Sequence, residues 1–235
     1  MTSKGNNFTQ KLSISLQVTT VFLILMTVFG FSFKYFANDV NNEKMLKLER
    51  TIHELRAALN SDSVREYNIQ KIMAIIDNFN KAMPSSLKYE VADEIYKMSI
   101  KYSNLDVDLI CATITHESAL SWDPKVKSEA GAMGLMQIMP ATGMYIAEYE
   151  NLNWSDAEEV LYNPIYNIRL GCRYLSSLIE YFDDVDAGLA AYNGGQKQAA
   201  LWVASGKSEG VLWAETEFYV PAILKLYREY KSLNI

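Results

Sequence analysis

Asp106-Val107-Asp108-Leu109-Ile110-Cys111-Ala112-Thr113-Ile114-Thr115-His116-Glu117-Ser118 is the stretch on which the fold turns. Asp106 stands where a helix N-cap is expected, with a side-chain oxygen able to accept from one of the first free backbone N–H groups. Behind it Leu109, Ile110, Thr113 and Ile114 make an apolar stripe at helical spacing, and Glu117 continues that stripe. A carboxylate on such a face points towards a core or a cleft. Two readings follow. A salt bridge satisfies it there, or desolvation raises its pKa and keeps it protonated near neutral pH, which is the condition a general acid requires.

Outward from this helix the same period recurs over 90–102, 107–121, 142–149, 164–181, 187–192 and 215–231, with Gly and Pro as punctuation. No stretch sustains period-2 alternation, so the sequence predicts an all-α domain with β-structure limited to a small hairpin. All four Trp, all five Pro and nine of the eleven Gly lie at or after Pro84, which places a domain boundary near Met83 and the globular domain at 83–235.

Upstream, Leu12 to Phe33 carry no charge and are bracketed by Lys11 and Lys34. At helical rise these residues extend roughly 33 Å, the thickness of a hydrocarbon core. A cleaved signal peptide fits poorly, because the run is too long and no small-x-small pattern follows it; a buried soluble helix is rarely uncharged for so long. The expectation is a single transmembrane anchor at 12–33. Lys4 and Lys11 put residues 1–11 in the cytoplasm by the positive-inside tendency, and the bulk of the chain outside.

Residues 34–82 read as a helical stalk. Met45, Leu48, Ile52, Leu55 and Leu59 follow an a/d pattern for about two heptads. That is enough for a short self-associating coil or for a face that packs on its own chain or on an envelope partner. Ile69, Ile72, Met73, Ile76 and Phe79 carry the helical character on towards the boundary.

Composition removes several functions. Residues 83–235 hold 12 basic and 21 acidic side chains, a net −9, which argues against a nucleic-acid partner. Cys111 and Cys172 are too few for a disulfide framework and lack the paired spacing of a zinc site; they read as two small buried side chains or as one disulfide. His116-Glu117 begins like a zinc-protease helix, but Leu120 stands where the second histidine belongs, so no metal or cofactor is expected and His116 reads as solvated or locally hydrogen-bonded.

Downstream come Gly131-Ala132-Met133-Gly134-Leu135-Met136-Gln137, then Asn163-Pro164-Ile165-Tyr166-Asn167-Ile168 with Gly171, Tyr174 and Leu175, then Ala191-Tyr192-Asn193-Gly194-Gly195, and finally Glu215-Thr216 with Tyr219-Val220. The glycines permit tight turns and a close approach of backbone to a ligand. Tyr192 and Asn193 offer a phenol and an amide for hydrogen-bonding a sugar, although the same segment would serve as a helix C-cap.

Together with Glu117-Ser118, these segments resemble, in order and over roughly 88–230, the lytic transglycosylases of the soluble-lytic-transglycosylase type, which share a goose-type lysozyme-like fold. The resemblance implies cleavage of the β-1,4 bond between N-acetylmuramic acid and N-acetylglucosamine in peptidoglycan, with 1,6-anhydromuramyl ends. Glu117 would act first as acid and then as base, with Tyr192 and Asn193 beside it, while Ser118, Met136, Gln137, Gly194 and Tyr219 would line the saccharide cleft. The anchor and stalk lie outside the resemblance; the anchor expected at 12–33, taken with the family's usual periplasmic setting, points to a bacterial inner-membrane protein with a periplasmic catalytic domain. Asp123 and Glu129 are the carboxylates that a hydrolytic, lysozyme-like reading would recruit, but beside Pro124 and Gly131 they read as solvated turn charges. The other alternative is a non-catalytic peptidoglycan-binding scaffold of an envelope machine.

Overall fold

In the computed structural model, residues 26–27, 44–45, 47–52, 55 and 61–233 are described. The anchor expected over 12–33 lies outside them apart from Met26 and Thr27, and so does much of the stalk; the described stalk residues up to 79 are helical. Among the described residues no helix is long and apolar enough to cross a membrane. The chain divides into two units, Met1–Asp62 and Ser63–Ile235, and the site lies in the second.

That unit begins at Ser63 and not at 83, which corrects the boundary expected from composition. Helix α1, over 63–79 of this unit, buries Ile69, Ile72, Ile75 and Ile76 completely in the same hydrophobic core as the downstream helices. It also sends Lys71 to Asp108, 2.7 Å away and almost wholly buried. Breaking a buried pair of this kind strands a charge, so the contact ties the second half of the expected stalk to the helix that carries Asp108.

The remaining helices are α2 (Ser85–Lys101), α3 (Val107–Glu117), α4 (Pro140–Ala147), α5 (Ala157–Leu161), α6 (Pro164–Phe182), α7 (Val185–Gly194), α8 (Gln196–Ala204) and α9 (Ala214–Ser232). The unit is all-α as expected. Its β-structure is two isolated antiparallel bridges, Lys127 with Met133 and Met133 with Ile138.

Capping follows the sequence closely. Asp106 accepts from Leu109 N at 2.8 Å, Asn163 from Ile165 N and Tyr166 N, and Asp184 from Ala187 N. Helix α3 is the central element, buried at every position from Val107 to Thr115 except Asp108, and it packs on α9 and α2. Helix α6 packs on α7 and α2, and α7 on α8 and α9. A bidentate pair from Arg169 to Glu94, at 2.6 and 3.1 Å, fastens α6 to α2. The cysteines are both free and buried, so of the two readings left open above the bonded one is not adopted.

Candidate active site

Helix α3 ends at Glu117, not at 121 as its pattern suggested. The chain leaves it through Ala119, Leu120 and Trp122, all with left-handed backbones (φ 52°, 61° and 49°). Non-glycine residues enter that region only when their surroundings impose it. Here the anchor is Trp122, fully buried, whose indole N–H donates to Thr115 Oγ1 at 2.9 Å and whose backbone N–H donates to Ser118 Oγ at 3.0 Å. Ser118, expected in the saccharide cleft, is therefore 0% exposed and serves this turn. Its hydroxyl is used before any sugar could reach it.

The early stop places Glu117 at a helix C-terminus with its side chain only partly exposed. Burial pushes its carboxyl up from 4.5 to about 7. A hydrogen bond from Tyr219 opposes the rise and the negative charge of Glu215 adds to it. The negative end of the α3 dipole acts in the same direction as burial. Tyr219, on α9 and 3% exposed, donates its hydroxyl to Glu117 Oε1 at 2.5 Å. The bond makes Oε1 an acceptor, so the carboxyl proton resides on Oε2. A carboxyl poised near neutrality in this way can give up a proton and take one back within one turnover.

The second wall comes from the turn at 126–139 and from α7. Tyr192 is buried at its hydroxyl, which donates to Met136 O at 2.8 Å; burial first, and the neighbouring Glu117 second, hold it well above the usual phenol range. Asn193 accepts from Thr216 Oγ1 at 2.6 Å and donates to Glu215 Oε1 at 3.3 Å. Its amide therefore joins α7 to the start of α9. Gly194 has room only for hydrogen, since a Cβ there would stand 2.8 Å from Thr216 Oγ1.

Two further cleft assignments change. The side chain of Met136 is completely buried against Gly171 and Cys172, so Met136 contributes its carbonyl to the site and not its thioether. Gln137, at φ 47°, turns its amide back to donate to Gly134 O at 2.8 Å and Val126 O at 3.3 Å, bracing the turn. The exposed methionine here is Met139, at 43%. An alternation of buried Met136 and Ile138 with outward Gln137 and Met139 would have signalled this, but it is too short to register as a strand pattern.

Asn167 organises the turn. Fully buried on α6, it accepts from Met136 N at 2.7 Å and donates to Met133 O at 2.8 Å and Leu161 O at 2.9 Å. Gly134, at φ 77°, lies so close to this amide and to Leu161 O that a Cβ would overlap both.

Glu215 opens the Glu215-Thr216 motif, and the sequence alone assigns it no role. Its acidic head bonds Asn193 and repels Glu117. Substituting Glu215→Gln keeps an oxygen for Asn193 and removes the charge, so the Glu117 midpoint is expected to fall below its present position near 7. Carbon-detected NMR titration of labelled Glu117 reads this directly; an unmoved midpoint would show that the two carboxyl groups do not sense each other.

Asp123 and Glu129 are exposed, and Asp123 accepts from Lys125 N in its own turn. His116 is half-buried and meets Tyr219 edge to face; its Nδ1 is buried without a hydrogen-bond partner. Next to Tyr192, whose ring lies 5.3 Å from that of Tyr174, a cavity of about 440 Å³ is lined by Thr142, Tyr145, Tyr149, Arg173, Tyr174 and Gln196 among others. Its size and its mixture of aromatic faces with a few polar groups suit an oligosaccharide.

The transglycosylase SLT domain family matches residues 94–211. The soluble lytic murein transglycosylase of Escherichia coli (strain K12) is 29% identical over 141 residues, covering 56% of this chain and 22% of that protein. The transglycosylase of Enterobacteria phage PRD1 is 39% identical over 105 residues, covering 45% of this chain and 35% of that protein. Among solved structures, an inactive mutant of the lytic transglycosylase Slt from Pseudomonas aeruginosa superposes with a TM-score of 0.52 at 26% identity, over 58% of this chain and 23% of that one. This chain thus spans well under half the length of the relatives it matches. The family match takes in half of the chain and runs through Glu117, the turn at 126–139, Asn167 and Tyr192, and the chain belongs to the transglycosylase SLT domain family.

Proposed function

We propose that the protein is a peptidoglycan lytic transglycosylase that cuts the β-1,4 bond between N-acetylmuramic acid and N-acetylglucosamine and leaves 1,6-anhydromuramyl ends. The observation that carries this is Glu117, a carboxyl raised to about 7 by burial and engaged on one oxygen only, by Tyr219. Near neutral pH its Oε2 proton passes to the glycosidic oxygen as the N-acetylglucosamine side departs. The carboxylate left behind takes the proton of the muramyl C6 hydroxyl, whose oxygen closes on C1. One carboxyl therefore serves both halves of the reaction, and no second carboxylate at a fixed separation is needed. The relatives named as murein transglycosylases support the substrate class.

The tyrosines of the neighbouring cavity offer faces on which pyranose rings stack, with Arg173 and Gln196 at hand for polar groups. In this reading Tyr192 and Asn193 shape the wall beside Glu117, Met136 and Gly194 support it from behind, and Gln137 braces the turn. The uncharged run at 12–33 anchors the protein in a bacterial inner membrane, with its N-terminus cytoplasmic and the catalytic unit in the periplasm. The a/d residues of the stalk provide a surface for self-association or for an envelope partner.

The test is digestion of purified sacculi by the full chain in detergent, with soluble products read by mass spectrometry. Anhydro-muropeptides are expected. Muropeptides ending in reducing muramic acid would overturn the transglycosylase in favour of a hydrolase.

A further inference from the structure

The Tyr219 phenol that bonds Glu117 is itself held by a contact that the mechanism leaves unused. His116 and Tyr219 meet with ring centroids 4.9 Å apart and planes at 81°. Although His116 directly precedes Glu117, successive side chains on a helix point about 100° apart, so α3 presents the imidazole and the carboxyl to different parts of α9. Tyr219 touches both. The buried Nδ1 of His116 has no hydrogen-bond partner, so the ring is not retained there for a hydrogen bond at that atom; what it supplies is shape. The same ring borders a cavity of about 490 Å³ formed with Ala119, Leu120, Ala222, Lys225, Leu226 and Glu229. Open space therefore adjoins the ring that keeps the phenol in place.

Resting on the transglycosylase reading, we infer that His116 is a positioning residue: its ring wedges Tyr219 so that the phenol donates to Glu117 Oε1, and removing the ring lets the phenol swing towards the adjoining cavity. The charged and titratable groups around the imidazole are Glu117 on its own helix and, from α9, Tyr219, Glu215, Lys225 and Glu229. Burial lowers the imidazole's pKa, which keeps the wedge neutral at the pH where Glu117 titrates. A neutral ring can be replaced by another neutral ring.

The experiment compares His116→Ala, His116→Phe, Tyr219→Phe and the double variant His116→Ala/Tyr219→Phe with wild type, all as full chains on sacculi. His116→Ala is expected to lower kcat about tenfold with KM unchanged, because the catalytic carboxyl loses its orientation and not its substrate contacts. Its Glu117 titration, and with it the basic limb of the pH profile, should move upward, because the donor that favours the carboxylate is gone. His116→Phe should stay within about threefold of wild type, and in the Tyr219→Phe background His116→Ala should cost less than about twofold, since both act through one contact. Three results would each overturn the assignment: wild-type kcat in His116→Ala, His116→Phe as impaired as His116→Ala, or a histidine effect undiminished by Tyr219→Phe. If wild type itself released nothing, the enzymatic reading would fall while the NMR titration of Glu117 still tested the wedge; an unmoved midpoint in His116→Ala would overturn it.

Discussion

Glu117→Gln is expected to abolish release of anhydro-muropeptides by the full-length protein, with a loss on the order of 10³-fold or more, the scale of a deleted general acid. Glutamine keeps the size of the side chain and can still accept from Tyr219, but it neither gives nor takes the proton that both halves of the reaction need. The same substitution changes stability in a direction fixed by the raised pKa. In the folded protein Glu117 titrates near 7, against 4.5 when unfolded, so between those values the native state binds more protons. Stability from this group is fully present below 4.5 and is lost as pH rises through 7, at a total cost of about 3 kcal/mol. Thermal unfolding should therefore show wild type losing ground between pH 5 and about pH 8 relative to Glu117→Gln. A variant that still yields anhydro products, or two melting curves that run parallel across that range, would remove Glu117 from the role assigned to it.

Asn167→Ala should have the largest effect on folding of any single polar substitution near the site. It deletes an amide that satisfies Met136 N, Met133 O and Leu161 O, three backbone groups of a turn and helix end that bury them. Each buried group left unpaired costs about 1–3 kcal/mol, so a loss of about 3–9 kcal/mol is expected, or a fall of roughly 10 °C or more in Tm. Activity should fall further than the folded fraction does, because the Met136 carbonyl that holds Tyr192 belongs to the same turn. Chemical denaturation combined with the activity of the folded fraction separates the two effects. A change within about 1 kcal/mol would show that water replaces the amide.

The parts of the fold that announced themselves were those with caps and long apolar stripes. Asp106 caps the helix that its side chain predicts, and α6 and α9 end within a residue of their expected limits. Helices α5 and α8 went unread for a physical reason: α5 is five residues long and α8 buries only Ala199, so neither has a stripe to see. The overrun of α3 has another cause, since the stop at Glu117 is imposed by Trp122 and Ser118 through tertiary packing and not by a breaker in the sequence.

At the site, the inward glutamate was legible from its place on the stripe. Ser118 and Met136, expected in the cleft, turn their side chains into the protein. They build the wall from inside while Gln137 braces its turn, and whether a motif side chain faces ligand or core depends on a turn whose φ values no periodicity encodes. The roles of Glu215 and His116 towards Glu117 are not legible in the sequence, because they exist only once α9 lies against α3.

Helix α1 also determines how short the chain can be made. Composition invites a cut at 83, where the prolines, tryptophans and most glycines begin. Such a fragment would leave behind Ile69, Ile72, Ile75 and Ile76, each with no exposed surface, together with the ammonium that faces Asp108. At about 1.5–3 kcal/mol per buried aliphatic side chain the four isoleucines alone represent about 6–12 kcal/mol. That is the whole stability of an ordinary domain, about 5–15 kcal/mol. A piece starting at 83 would thus emerge as an aggregating chain with an open apolar trough, whereas one starting at 63 keeps its own lid.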